Sequence, residues 1–259
     1  MQKLTVIKIG GNIVDDEKAL SDFLDAFSQV EAPKILVHGG GKLATKLADQ
    51  LGVSTDMVEG RRITTQAMLP VTVMVYAGLI NKQIVAQLQN RKCDALGVSG
   101  ADGQLITSTK RPVSTVDYGF VGDCTPQDVN TTRLQQILNL GLCPVFSAIT
   151  ADKEGQLLNT NADTIASNLA IALTTHYHVD LVYCFERKGV LRDVQDENSV
   201  ISNLNAINFK QLKEEGIIAA GMVPKIVNAL NAVEQKVAQV YIKQANDLLD
   251  EKAGTCISR

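Results

Sequence analysis

Two lysines in this 259-residue chain lie where an ammonium group needs an anion beside it. Lys8 is the charged residue of the strand-like run Val6-Ile7-Lys8-Ile9-Gly10-Gly11. A strand covered on both faces requires such a group to be paired or to reach water. Lys225 follows Pro224, which suits the first position of a helix, where the helix dipole opposes a cation. Both positions favour a bound polyanion, although a solvated lysine explains each of them in isolation.

Two glycine clusters, Gly10-Gly11 and Gly39-Gly40-Gly41, each follow a strand-like run. Glycines at such a turn let the backbone approach a ligand and expose N–H groups to phosphate or carboxylate. A competing interpretation is a dinucleotide-dependent oxidoreductase, because Gly39-x-Gly41-x-x-Ala44, with Glu59 downstream, fits the dinucleotide fingerprint. A tight turn without a ligand is the third interpretation. The chain contains no P-loop motif, which disfavours that class of nucleotide-binding enzyme.

The segment Asn159-Thr160-Asn161-Ala162-Asp163 precedes a helical pattern. Thr160 or Asn161 can cap this helix, and Asp163 in its first turn gains from the helix dipole. Two amides two residues apart are also suited to gripping a carboxylate or amide of a ligand. Lysines, glycines, amides and an aspartate together suit phosphoryl transfer, where catalysis is mainly positioning and charge neutralisation. A carboxylate acceptor fits best, because it is ionised at pH 7 and needs no general base.

The elements that must position these residues are alternating strands and helices. Strands are predicted at residues 4–9, 34–38, 95–99, 143–149, 180–185 and 238–242, and helices at 17–30, 43–51, 66–90, 162–173, 209–215 and 221–234. This order predicts an α/β fold with a mostly parallel sheet and helices on both faces. The turn-rich segment 101–123 predicts short hairpins or a flap. A change in composition near 174–180 predicts a lobe boundary, which divides the chain into residues 1–178 and 179–259.

Composition excludes several classes of protein. With 25 Lys+Arg against 28 Asp+Glu, the net charge of −3 indicates neither nucleic acid nor an anionic membrane as a partner. No run approaches the roughly 18 apolar residues of a membrane span, and no signal peptide is predicted. The five cysteines form no C-x-x-C pair, which favours a reduced cytoplasm. His176-x-His178 is a poor metal motif, so no metal ligand is predicted.

Taken together, these motifs resemble the amino acid kinase family, and within it the kinases that act on N-acetyl-L-glutamate. The resemblance runs nearly end to end through Lys8-Ile9-Gly10-Gly11, His38-Gly39-Gly40-Gly41, Gly60-Arg61-Arg62-Ile63-Thr64, Asn81-Lys82, Ser99-Gly100-Ala101-Asp102-Gly103, Asn159-Thr160-Asn161-Ala162-Asp163, Gly221-Met222-Val223-Pro224-Lys225 and Gly254-Thr255. Each motif alone is modest, whereas their order and spacing together are highly specific.

The resemblance implies an open three-layer αβα sandwich and a reaction. The N-terminal lobe would bind the acylated glutamate and form a homodimer, and the C-terminal lobe would bind ATP. The γ-phosphoryl group would pass to the side-chain carboxylate of N-acetyl-L-glutamate, giving an acyl phosphate in the second step of arginine biosynthesis. A larger acyl group such as succinyl is the alternative, since Arg61 or Lys82 could pair with its extra carboxylate.

The resemblance also implies roles for individual residues. Lys8 and Lys225 would neutralise the transferred phosphoryl group, with Asp163 holding both ammonium groups. Substrate contacts would come from Gly40, Gly41, Arg62, Asn159 and Asn161, with Arg62 binding the α-carboxylate in a bidentate pair. Nucleotide contacts would come from Lys8, Gly10, Gly11, Glu186, Gly189, Val190, Leu191, Ile217, Ile218 and Ala219. Mg²⁺ would be held mainly by the ATP phosphates, without a dedicated protein ligand.

Two departures from the family pattern lead to further expectations. Glu186-Arg187-Lys188-Gly189 replaces the usual Asp-x-x-Gly turn on the nucleotide side. The extra N-terminal helix of arginine-inhibited members is missing before the first strand, which predicts a dimer without arginine feedback. The dimer surface is predicted on the helix at 68–89, through its apolar residues Leu69, Val73, Tyr76, Ala77, Ile80 and Ile84.

Overall fold

The computed structural model describes residues 1–31, 33–58, 61–218 and 222–259, and of Pro224 only the backbone. In these ranges the strands are β1 (Lys3–Ile9), β2 (Lys34–His38), β3 (Met57–Val58), β4 (Arg61–Arg62), β5 (Ala95–Val98), β6 (Thr109–Lys110), β7 (Val121–Asp123), β8 (Cys143–Ser147), β9 (Ile149–Ala151), β10 (Leu157–Thr160), β11 (His178–Phe185), β12 (Asn203–Leu204), β13 (Gln239–Gln244) and β14 (Thr255–Ile257). The α-helices are α1 (Gly11–Val14), α2 (Glu17–Gln29), α3 (Gly41–Gln50), α4 (Met68–Val73), α5 (Asn81–Asn90), α6 (Thr131–Asn139), α7 (Ala162–Leu173), α8 (Ala206–Glu214) and α9 (Val223–Glu234).

The main sheet has the strand order β12-β14-β13-β11-β1-β2-β8-β5. Neighbouring strands pair in parallel except β13 and β14, which are antiparallel. Strand β1 lies inside the sheet between β11 and β2, and its apolar residues are fully buried because helices cover both faces. The predicted α/β fold with a mostly parallel central sheet is therefore confirmed.

The flanking helices form two layers. Helices α2 and α5 pack on each other, as do α7 and α9. The connections that contain α2 and α5 lead toward the β5 edge of the sheet, whereas those that contain α7 and α9 lead toward the β12 edge. Because crossovers between parallel strands are right-handed, the two pairs of helices lie on opposite faces. Helix α2 buries an apolar stripe of Leu20, Phe23, Leu24 and Phe27, and the Asp16 side chain caps its first turn.

A second, small sheet with the order β6-β7-β10-β9 lies beside the main one. It includes part of the segment predicted as hairpins or a flap. The predicted strand at 143–149 is divided here, because the chain leaves the main sheet after Ser147 and enters the small sheet at Ile149. Strands β10 and β14 have no counterpart among the predicted strands, since each has at most four residues and no apolar run.

The long helix Met68–Asn90 consists of α4, a π-helical segment at Met74–Ile80, and α5. Pro70 lies in its first turn, where a proline is tolerated. The predicted apolar dimer face is mostly wrong, because Leu69, Tyr76, Ile80 and Ile84 are buried within the chain. The π-helical turns change the angular spacing of side chains, and the exposed apolar residues are Met74 and Leu79. By length and composition this helix could cross a membrane, yet half of it is buried, which is typical of a core helix.

Candidate active site

A cavity of about 480 Å³ opens at the carboxyl ends of the main parallel strands. Its floor is formed where β1, β2, β8 and β11 end and the glycine turns begin, the position at which open α/β sheets bind ligands. It is lined by Lys8, Ile9, Gly10, Gly11, Asn12, Gly39, Gly40, Gly41, Lys42, Met57, Arg61, Arg62, Tyr76, Val121, Ala148, Asn159, Thr160, Asn161, Ala162, Phe185, Glu186 and Lys225. Cations outnumber anions in this lining, so the cavity suits a polyanion.

The two lysines singled out in the sequence meet in this cavity. Lys8 Nζ lies 2.8 Å from Asp163 Oδ1, and both side chains are largely buried. Lys225 Nζ lies 3.5 Å from the centroid of the Phe185 ring, and Lys8 Nζ lies 5.2 Å from the same centroid. Two ammonium groups 217 positions apart in sequence are thus brought to one aromatic ring. Among the described residues Asp163 forms an ion pair with Lys8 and none with Lys225, so the expectation that it holds both ammonium groups is met for Lys8 alone.

The charges around Lys225 act in opposite directions. Burial and the neighbouring Lys8 ammonium group lower the pKa of Lys225, whereas the carboxylates of Asp163 and Glu186 raise it, and the net shift is downward. A further anion in the cavity would stabilise the charged form of Lys225. Asp163 Oδ1 forms an ion pair with Lys8 Nζ. Among the described residues this oxygen has no hydrogen-bond partner.

The glycine turns leave room for a ligand at the starts of α1 and α3. A Cβ on Gly40 would lie 2.2 Å from Ile80 Cδ1 and 3.1 Å from Tyr76 Cδ1, so only glycine lets the long helix pack under this turn. The N–H groups in the first turn of a helix have no intrahelical partner. At Gly41 and Lys42 they border the cavity, as they do at Gly11 and Asn12.

Arg62 is a buried guanidinium group with unused donors. Its Nη2 donates to the carbonyl of Gly41 and to Thr45 Oγ1, each at 2.7 Å. Its Nε and Nη1 are buried and have no hydrogen-bond partner among the described residues. Because an unpaired buried donor is costly, this arrangement favours an anionic ligand that accepts from those nitrogens.

The two predicted amides have different partners. Asn161, rather than Thr160, caps α7. Its side chain accepts from the backbone N–H of Thr164 at 3.0 Å. Asn159 Nδ2 donates to Thr64 Oγ1 at 2.9 Å. Both residues line the cavity. The cap uses the Asn161 oxygen and the Thr64 bond uses an Asn159 N–H, so each amide keeps polar capacity for a ligand.

His38 anchors the second glycine turn from below. It is fully buried, its Nδ1 lies 2.9 Å from the Gly39 carbonyl, and its Nε2 lies 3.0 Å from Asn81 Nδ2. An acceptor on one side and a donor on the other assign the proton to Nδ1 of a neutral ring. Burial lowers the pKa of His38 to about 4, and the nearby Lys82 adds to this shift.

The predicted nucleotide residues are only partly brought to the cavity. Glu186 lines it and accepts from Asn12 Nδ2. Gly189, Val190, Leu191 and Ile218 are buried and do not line it, and neither does the half-buried Ile217. A Cβ on Gly189 would lie 2.8 Å from Thr255 Oγ1, so this turn packs tightly on β14. Ala219 lies outside the described residues, as does Glu59 of the dinucleotide pattern.

Several residues that line the cavity were not predicted as site residues from the sequence. Phe185 could have been found, because it ends a strand beside the predicted turn at Glu186. Asn12 follows a glycine turn that was already singled out. Tyr76 could not be found, because the π-helical segment rotates it toward the cavity rather than toward a partner. Its burial raises the pKa of Tyr76, so it remains a neutral hydroxyl.

Comparisons with known proteins agree with this geometry. The family model of the amino acid kinase family matches residues 3–244. The chain is 50% identical over 251 residues to an acetylglutamate kinase of Cytophaga hutchinsonii, covering 96% of this chain and 94% of that one. It is 51% identical over 248 residues to an acetylglutamate kinase of Parabacteroides distasonis, covering 96% of each. A crystal structure of a Streptococcus mutans protein, 26% identical, superposes with a TM-score of 0.77 over 98% of both chains.

The buried His38 predicts a pH dependence of stability. Its pKa of about 4 in the folded protein lies below the ordinary value of 6.5, so between these values the unfolded chain binds the extra proton. The stability present above pH 6.5 should fall by about 3 kcal/mol as the pH drops to 4. Urea unfolding at a series of pH values should show this slope in the wild type and not in His38→Gln, which keeps a polar partner for Asn81. Parallel curves for the two proteins would contradict the prediction.

Proposed function

The chain belongs to the amino acid kinase family, and from this premise we propose that it is an acetylglutamate kinase. It transfers the γ-phosphoryl group of ATP to the side-chain carboxylate of N-acetyl-L-glutamate, which is the second step of arginine biosynthesis. The observation that carries the proposal is the convergence of Lys8, Asp163 and Lys225 at one end of the cavity. The family match replaces the oxidoreductase hypothesis, which gives Lys225 and the asparagines no role.

The lysines supply charge neutralisation. In the transition state, negative charge spreads over the equatorial oxygens of the phosphoryl group and the bridging oxygens. Lys8 and Lys225 both line the cavity and lie near the same Phe185 ring, so two ammonium groups are available to bind those oxygens, and Asp163 holds Lys8 in place. Their charges are oriented before the reaction, so little reorganisation is needed. The acceptor carboxylate is already ionised at pH 7, and the site needs no general base to activate it.

The substrate contacts follow from the unused donors. Arg62 Nε and Nη1 are proposed to bind the α-carboxylate of the acylated glutamate. Asn159, Asn161 and the N–H groups at Gly40 and Gly41 border the same volume and are proposed to hold the remaining polar groups. These contacts aim the side-chain carboxylate at Lys8 and Lys225, which converts binding energy into orientation.

ATP is proposed to bind on the side of the cavity formed by Gly10, Gly11 and Glu186, with residues 179–259 as the nucleotide lobe and 1–178 as the substrate lobe. No cluster of three metal-ligating side chains occurs in the described parts of the chain, so Mg²⁺ is proposed to be held mainly by the ATP phosphates. When bound there, Mg²⁺ would neutralise phosphate charge. We place the enzyme in the cytoplasm, in keeping with its five unpaired cysteines.

Replacing either lysine by alanine should lower kcat about 100-fold or more, with a much smaller change in substrate affinity. The reason is that charge on the phosphoryl group develops in the transition state. ATP turnover with N-acetyl-L-glutamate, trapped by hydroxylamine as the hydroxamate, measures this. Lys110→Ala is a matched control, because Lys110 also lies over an aromatic ring, that of Phe120 at 4.7 Å, but outside the cavity. An unchanged kcat in both Lys8→Ala and Lys225→Ala would refute the assigned roles.

Succinyl is a second candidate for the acyl group, favoured by one observation. Arg61 and Lys42 line the cavity, and neither side chain has a hydrogen bond or ion pair to a described residue. Either cation could bind the extra carboxylate of N-succinyl-L-glutamate. Lys82, the other residue considered for this role, does not line the cavity, because its Nζ donates to Asn81 Oδ1 and the Gly97 carbonyl.

We expect a higher kcat/KM for N-acetyl-L-glutamate than for N-succinyl-L-glutamate, since the acetyl group brings no third carboxylate to be desolvated. The hydroxamate assay with both substrates measures the ratio. In Arg61→Ala, turnover of the acetyl substrate should change little. The opposite order in the wild type, lost in Arg61→Ala, would assign the succinyl substrate instead.

A homodimer is proposed through the exposed side of the long helix, where Met74 and Leu79 are about half exposed. These two exposed apolar residues lie on the same helix that packs under the glycine turn. A dimer contact at this place would therefore couple assembly to the site.

Leu79→Glu should convert the dimer to a monomer, because it places a charge in the apolar contact. Light scattering coupled to size exclusion measures the mass in solution. Leu140→Glu is the control, since Leu140 is 75% exposed at the end of α6, away from this helix. A dimer that persists in Leu79→Glu would place the interface elsewhere.

A further inference from the structure

The amino edge of the main sheet, opposite the candidate active site, contains a second cavity of about 580 Å³. Two of its lining residues are cysteines that the proposed kinase reaction does not use. Cys143 is the first residue of β8, and Cys93 lies just before β5, the strand that pairs with β8. All five cysteines of the chain are free thiols.

The backbone brings Cys93 and Cys143 together. Ala95 pairs with Cys143 in the register of β5 and β8, and the Cys143 N–H donates to the Asp94 carbonyl at 2.8 Å. The Ala95 N–H donates to the Cys93 carbonyl at 2.8 Å, a tight turn that folds Cys93 back toward the sheet. Both thiols belong to the same buried cluster and border the same cavity.

A cation lies in the same cavity. Lys34 begins β2, and its Nζ donates to the carbonyls of Phe27, Ser28 and Val30 at 2.6–2.9 Å, at the end of α2. Burial lowers the pKa of Lys34, whereas the nearby Cys93 and Cys143 sulfurs raise it. A fixed positive charge beside two thiols stabilises a thiolate.

The two thiols differ in acidity. The neighbouring Cys143 thiol lowers the pKa of Cys93 to about 7, with a smaller contribution from Lys34, whereas the pKa of Cys143 is raised well above its usual value. Burial raises the pKa of Cys184 to about 12 and also raises that of Cys124. Cys93 is therefore the thiolate of this pair near neutral pH.

We propose that Cys93 and Cys143 form a redox-active dithiol that hydrogen peroxide converts to an intramolecular disulfide. The Cys93 thiolate attacks one peroxide oxygen and the O–O bond breaks, which leaves a Cys93 sulfenic acid and a hydroxide ion. The hydroxide takes a proton from solvent and becomes the first water. The Cys143 sulfur then loses its proton and attacks the Cys93 sulfur, and the S–O bond breaks with release of a second water. Two thiols are oxidised, the peroxide is reduced to two waters, and a thiol reductant reverses the change.

Peptide mapping of the full-length protein after peroxide treatment tests the proposal. The expected product is one cross-link between the Cys93 and Cys143 peptides, removed by dithiothreitol, with loss of two titratable thiols. In Cys143→Ala the sulfenic acid should persist on Cys93 and be captured by dimedone. Cys256→Ser, which alters a half-buried cysteine outside this cavity, should form the cross-link as the wild type does.

The pH profile of alkylation gives an independent measurement, and its wild-type part needs no variant. Iodoacetamide should label Cys93 first, with the rate at half its maximum near pH 7, and Cys143→Ala should move that midpoint upward. Retention of all five thiols under peroxide, a cross-link to any other cysteine, or a wild-type sulfenic acid that does not proceed to the disulfide would each overturn the proposal.

Discussion

A buried ammonium group inside the central sheet is the constraint on which the site depends. Lys8 lies on β1, between β11 and β2, where both faces of the sheet are covered by helices. An unpaired charge in that position costs several kcal/mol, and breaking such a pair costs about 3–5 kcal/mol. Asp163, in the first turn of α7, supplies the partner, and this turn also stabilises a carboxylate. The ion pair that compensates the buried charge of Lys8 thus also places a fixed cation at the edge of the sheet where ligands bind.

The parallel sheet separates two kinds of chemistry along the strand direction. The carboxyl ends of β1, β2 and β11 present Lys8 and the glycine turns to one cavity, to which α9 adds Lys225 and β4 adds Arg62, all suited to anions. The amino ends of β2, β5 and β8 present Lys34 and two thiols to another. Since every strand in that group runs the same way, residues at the two ends of one strand cannot share a site.

The long helix Met68–Asn90 connects the core, the glycine turn and the exposed surface. Ile80 and Tyr76 pack against Gly40, and Asn81 donates to His38 and to the Val145 carbonyl. The buried Asn81 amide is thus hydrogen-bonded to residues of β2 and β8, and these bonds give the glycine turn a rigid support. The π-helical segment lets one helix direct Tyr76 to the cavity and leave Met74 and Leu79 exposed. A face deduced from ordinary helical spacing is therefore wrong here.

The sequence alone determined the order of strands and helices, the turns beside them and the residues that carry charge, because these follow from local periodicity and residue type. It predicted Lys8, Lys225, Asp163 and Arg62 as one constellation through motif order rather than distance. Only the tertiary structure decided that Lys8 and Lys225 share the Phe185 ring, that Arg62 has two nitrogens without a partner among the described residues, and that Cys93 and Cys143 border one cavity. These contacts join positions far apart in the chain, and side-chain direction there is set by packing, which no local pattern encodes.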